Sequence, residues 1–259
     1  MAVSSLWIGL MAAACTCAGL AAVRRLSPAP RARSLLTLGA AGFVLLLVIE
    51  AGYQALGTLE LALLGNGLEV VVLTAIVLTT GLLFGMVGLA LIESRRGHPG
   101  AEAPQALDVA VMLAVAIGLT TFAEGLAVGQ VMATTLTGPG ARIIAGLAAL
   151  GLISGAAVAA PIAGQPMPPG RILLLAACAA APGLFGTVTG TTWVGPGLEL
   201  LVLSLAAGML VYVLRELLRA PLEQVAAPAA MWAMTVGLAA GLTAELLVST
   251  GRQMMRFGP

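Results

Sequence analysis

The sequence predicts an all-α integral membrane protein, an eight-helix transmembrane bundle, and three features of the 259-residue chain lead there. Hydrophobic residues make up 60% of it and charged residues 9%, against about 25% charged in a soluble domain, so little polar surface is left to face water. Mean hydropathy is +1.07. The apolar residues gather in runs of about 20 or more, the length at which a helix crosses a hydrocarbon core about 30 Å thick. Links between the runs are short and none has the composition of a soluble domain, so residues 1–259 are read as a single polytopic transmembrane domain.

The spans follow in order, with bounds good to about a few residues. Span 1 covers 4–23; its basic pair Arg24 and Arg25 follows the apolar run, where a cleaved signal peptide carries its charge ahead of it. Span 2 covers 35–57, after Arg31 and Arg33, and span 3 covers 68–92, between Glu69 and the pair Arg95, Arg96. Spans 4 and 5 cover 106–134 and 142–164, with Arg142 at the start of the second. Span 6, 171–191, opens on Arg171; span 7, 198–218, closes at Arg215 and Arg219; span 8 covers 228–249. Every basic residue is Arg, and most follow an odd span or open an even one, with Arg142, Arg252 and Arg256 on the other side. The positive-inside rule then places the odd-to-even links in the cytoplasm and both termini outside, as a multi-pass protein of the cell membrane.

Two spans carry the same string. Span 2 reads Ala40-Ala41-Gly42, then an apolar run, then Glu50; span 7 reads Ala206-Ala207-Gly208, an apolar run, then Glu216. In both, the Glu stands eight positions after the Gly. Spans 2 and 7 are an odd number of crossings apart, so the matching segments run in opposite directions. That is the pattern of an inverted repeat, spans 1–3 and 6–8 around spans 4–5, in which a transport site lies near the bilayer midplane between the halves.

An ionisable group inside a span costs roughly 2.5–3.5 kcal/mol on insertion scales, so the few present are informative. Glu69, Glu199, Glu216 and Glu245 stand near span ends, where interfacial solvation or local pairing accounts for them. Glu50 lies deeper and reads either as a pathway residue or as an interhelical hydrogen-bond partner. Glu124, in Thr120-Thr121-Phe122-Ala123-Glu124-Gly125-Leu126-Ala127-Val128-Gly129, is interior to a long span. The spacing of Thr120 and Thr121 from Glu124 puts three oxygen-bearing side chains on one helical face. Cys15, Cys17 and Cys178 sit within apolar runs and read as small packing residues rather than as ligands or bridges.

The segment Phe122-Ala123-Glu124-Gly125-Leu126-Ala127 resembles the fourth-span motif of the ZIP (Zrt/Irt-like) metal transporters, His-Asn-x-Pro-Glu-Gly-Leu-Ala. Ser154-Gly155-Ala156-Ala157-Val158-Ala159-Ala160-Pro161 resembles that family's Glu-Gly-Leu-Ala-Val-Ala-Ala-Pro in span 5, and Ala206 to Val213 with Glu216-Leu217 resembles its span 7. Span order, span count and outside termini agree along essentially the whole chain. The resemblance implies a transporter of a divalent metal cation, zinc or a related ion, with Glu124, Thr120, Thr121 and Ser154 as metal ligands and Glu50 and Glu216 along the route.

The departures from the family pattern are specific. Thr120 and Thr121 stand where the family has His and Asn, Ala123 stands for Pro, Ser154 stands for Glu, and Leu150 and Gly151 occupy the positions of His and its neighbour. No acid stands near Pro182 in span 6, and the His-rich cytoplasmic loop is reduced to His98, which reads as a solvated loop residue. A zinc site wants about four N, S or O ligands, so this set favours a harder ion or weak binding completed by water. The alternative is a transport-inactive ZIP-like membrane scaffold or partner-binding protein. No paired acid and base, His cluster or nucleophile motif converges in the spans, so an enzyme is not expected. No cofactor is implied beyond the metal ion as substrate. The expected partners are membrane lipid and that ion, with a homodimer as the assembly; the lack of a polybasic tract argues against nucleic acid.

Overall fold

The computed structural model describes residues 2–26, 28–65, 68–96, 106–134, 141–192, 196–219 and 221–257. Among these it forms eight α-helices: α1 (Ala2–Arg25), α2 (Pro30–Gly65), α3 (Leu68–Arg96), α4 (Ala106–Thr134), α5 (Ala141–Ala159), α6 (Pro169–Thr189), α7 (Pro196–Arg219) and α8 (Ala227–Phe257). All eight are long and apolar enough to cross a membrane, and the chain is a multi-pass, all-α membrane protein. His98 lies outside the described residues.

Helix ends differ from the hydropathy bounds for local reasons. Span 5 is interrupted before 164: α5 ends at Ala159, a 3-10 turn covers Ala160–Ile162, and Gly164 has φ 73°. Pro161 in that turn supplies no N–H to continue the helical ladder, and the left-handed Gly164 turns the chain toward α6. At its other extreme α2 runs 36 residues, about 54 Å at 1.5 Å per residue, longer than the hydrocarbon core. Hydropathy marks where the helix leaves the apolar layer, whereas hydrogen bonding carries it into the interface.

In the packing, α4 lies against α6, α1 against α5 and α6, α3 against α7, and α2 against α7 and α8, while α5 and α4 also touch α8 and α7. Helices α2 and α5 are the most enclosed, α3 and α8 the most open. Three links meet at one end of the bundle: Arg24 Nη2 donates to the Met167 carbonyl at 3.1 Å and Ser34 Oγ donates to Gln224 Oε1 at 2.9 Å.

Glycines bring the backbones together, since apolar side chains gain nothing by leaving lipid and association rests on close packing. A methyl group on Gly42 would overlap the Met234 carbonyl of α8, and one on Gly237 the Gly39 carbonyl of α2. The α3–α7 pair repeats this arrangement: Gly208 meets the Leu82 carbonyl, and Gly85 meets the Leu205 carbonyl. Between α1 and α5, Gly19 meets Leu152 and Gly155 meets Thr16; between α6 and α4, Gly186 meets Phe122 and Gly125 meets Gly183. In every pair the carbonyl met on one helix lies three residues before that helix's own glycine, and on the other helix three residues before it as well.

Candidate functional site

Helices α1, α4, α5 and α6 surround a small interior cavity of about 40 Å³. Glu124 and Thr121 of α4 and Ser154 of α5 line it, so three of the residues singled out in the sequence meet there. Glu124 is half-buried, and Ser154 is 2% exposed. The Thr121 hydroxyl is placed to donate to the Gly118 carbonyl at 3.0 Å and, across to α6, to the Ala179 carbonyl at 3.3 Å. Pro182 has no N–H for the Cys178 carbonyl, the neighbour of Ala179, so that carbonyl lacks its helical partner.

Thr120 is buried but does not line this cavity; its hydroxyl donates to the Ala116 carbonyl of its own helix at 3.0 Å. Adjacent helical residues diverge by about 100°, and the crossing of α4 with α6 turns Thr121, not Thr120, toward the centre. Two hydroxyls that the sequence did not single out complete the lining, Thr16 of α1 and Thr187 of α6, which are 3% and 4% exposed. Thr16 donates to the Ala12 carbonyl at 3.0 Å and Thr187 to the Leu184 carbonyl at 2.8 Å, which leaves their oxygen lone pairs available to accept. Their only signal in sequence is a hydroxyl inside an apolar span. That signal is shared by exposed residues such as Thr79 and Thr80, so it does not discriminate.

Apolar side chains flank the cavity. Ile8, Val128, Ile143, Leu147 and Val248 form one cluster. Toward the Arg-rich end the larger core takes over, where Leu113, Ile117 and Val158 are fully buried. The lining offers one carboxylate and several neutral oxygens. Among the described residues no group of three or more His, Cys, Asp and Glu side chains comes together.

Glu50 and Glu216 lie elsewhere. Glu50 is half-buried on α2 and accepts from Gln54 Nε2 at 2.9 Å, one turn along the same helix. Of the two readings of Glu216, interfacial solvation or local pairing, the structure agrees with pairing: the residue is 6% exposed and stands beside Arg215. Its Oε1 is 3.8 Å from Arg215 Nε, while its Oε2 is buried without a hydrogen-bond partner. It lines a polar cavity of about 270 Å³ at the Arg-rich end, with Arg33, Ser34, Thr37, Arg219 and Gln224. The cysteines are free thiols; Cys17 faces outward and takes no part in helix packing, contrary to its reading as a packing residue.

No protein-family model matches the chain, and no curated protein matches it.

Proposed function

We propose that this chain is a ZIP-like transporter that moves a divalent metal cation, zinc or a related ion, across the cell membrane. The observation that carries the reading is the meeting of Glu124, Thr121 and Ser154 from two helices in one small cavity between four helices, in a protein whose spans hold few other charges. A half-buried carboxylate in that setting is a site for a cation, since the cation offsets the cost of holding the charge away from water. Thr16 and Thr187 add neutral oxygens, and a cavity of about 40 Å³ holds a single ion or water rather than an organic substrate.

The glycine contacts support an inverted repeat. Exchanging α1 with α6, α2 with α7, α3 with α8 and α4 with α5 carries the Gly42–Met234 contact onto Gly208–Leu82 and the Gly155–Thr16 contact onto Gly125–Gly183. The same exchange pairs Gly125 with Gly155, and hence Glu124 with Ser154, as the span 4 and span 5 motifs do. Transport in such an architecture is alternating access of the halves about a central site, with no covalent step. Glu50 and Glu216, equivalent under the exchange, stand toward opposite ends of the route. The Arg-rich links lie in the cytoplasm, with both termini outside.

A second reading, a transport-inactive ZIP-like scaffold, is favoured by the single carboxylate among the cavity's lining residues. Purified protein in liposomes separates the two when tested with zinc, manganese, iron, cobalt, cadmium and magnesium. Flux that vanishes in a folded Glu124→Gln variant supports transport through this cavity. Absence of flux and of bound metal across the panel, from folded wild-type protein, refutes it and leaves the scaffold.

A further inference from the structure

An apolar groove of about 910 Å³ lies between the α1/α5 pair and the α2/α8 pair. Leu26, Leu36, Phe43, Trp232 and Val236 form its walls, and the small side chains of Gly39 and Ala156 leave the gap between the helices. It has no charged lining residue. Its volume falls in the range of small-molecule sites, about 300–1,000 Å³.

One end of the groove is different in charge. Leu26 and Pro28 belong to the α1–α2 link and Ala32 to the first turn of α2, and Arg25 and Arg31, both exposed, adjoin Leu26 and Ala32 in sequence. Arg24 is engaged by the Met167 carbonyl at 3.1 Å. Among the described residues the Arg25 and Arg31 side chains make no hydrogen bond or ion pair, and both belong to the end of the bundle that gathers most of the chain's Arg residues. Trp232, 72% exposed near the start of α8, stands at the same end, where amphipathic rings anchor at the headgroup level. An apolar slot whose lining adjoins two exposed Arg residues in sequence, with a Trp at the same end, matches a molecule with a long acyl chain and a phosphate at one end. Guanidinium is the side chain best suited to hold a phosphate in two parallel hydrogen bonds.

We infer that this groove binds an anionic phospholipid of the Arg-rich leaflet, an acyl chain between α5 and α8 and the phosphate at Arg25 and Arg31. The inference rests on the membrane topology and not on cation transport, so it stands or falls separately from the proposed function.

The test uses Trp232 as the reporter. In the full chain carrying Trp7→Phe and Trp193→Phe, Trp232 fluorescence is read in vesicles that contain brominated phosphatidylglycerol or brominated phosphatidylcholine at equal mole fraction. The expected result is a preference for phosphatidylglycerol of about fivefold or more, since each Arg near an anionic headgroup contributes about 1 kcal/mol. Raised salt, or Arg25→Gln with Arg31→Gln, brings the preference close to one, and Ala156→Leu, which fills the slot, lowers quenching by the anionic lipid. Equal quenching by the two lipids in the unaltered site would overturn the proposal, because it marks ordinary boundary lipid. So would a preference that survives both Arg substitutions, or native mass spectrometry showing a second copy of the chain and no retained phospholipid. Where the Arg variant fails to fold, the lipid comparison and the salt series on the parent protein decide alone.

Discussion

Gly155 of α5 lies against the carbonyl of Thr16 of α1, so close that any side chain at 155 would overlap it. This contact holds together two walls of the central cavity, because Thr16 lines it and Ser154, one residue before Gly155, lines it from the other side. Close packing and site geometry therefore depend on the same residue.

Gly155→Val is expected to destabilise the protein by about 1–3 kcal/mol, the usual cost of overpacking a tight contact. Gly52→Val, where an added side chain meets nothing within 4 Å, should leave stability unchanged. Thermal unfolding in detergent, followed by fluorescence-detected size exclusion, makes the comparison. Equal behaviour of the two variants would contradict the α1–α5 contact.

The two neighbouring threonines of α4 should separate. Thr121→Val removes a hydroxyl that faces the cavity and reaches the Ala179 carbonyl, so cation affinity falls and stability drops by about 0.5–1.5 kcal/mol. Thr120→Val removes a hydroxyl bonded within its own helix and leaves cation affinity as it was. Metal titration of both variants by calorimetry reads this; the reverse ranking would place Thr120 in the site instead.

At the Arg-rich end, Glu216→Gln takes away a buried charge whose Oε2 has no hydrogen-bond partner. Stability should stay within about 1 kcal/mol of the parent, since the lost desolvation cost offsets the weak pairing with exposed Arg215. Cation flux should fall. A loss of about 3 kcal/mol or more would instead mean that the carboxylate is held by strong pairing across its cavity with Arg33 or Arg219.

Orientation is open to direct labelling. With Cys15, Cys17 and Cys178 each replaced by Ala, Gln224→Cys places an exposed thiol at the Arg-rich end. A membrane-impermeant maleimide should label it in inside-out vesicles and not in intact cells. Labelling in intact cells would invert the topology.

Much of the fold could be read from the chain, because the bilayer imposes a simple rule: about 20 apolar residues per crossing, with charge at the ends. The site was harder to read. Glu124 stands out because a carboxylate inside a span is costly and therefore rare, and Ser154 was found through its motif. Thr16 and Thr187 were not found, because a hydroxyl can bond to its own helix anywhere along a span and so carries no position in its identity. For Glu216 the sequence left interfacial solvation and local pairing open, because its distance from the span end and its Arg215 neighbour are visible in sequence, whereas the cover above it is not.

The sequence by itself determined that this is a membrane protein, how many times it crosses, and which carboxylate lies deep in a span. Which side chains meet was decided only in three dimensions. In a soluble helix the apolar face announces the core; here the helices are apolar all round, and no face is marked. The facing of each helix is set by where the glycines of two helices let their backbones touch. That choice turned Thr121 inward, put Thr120 aside, joined Thr16 and Thr187 to Glu124, and left the groove open beside Arg25 and Arg31.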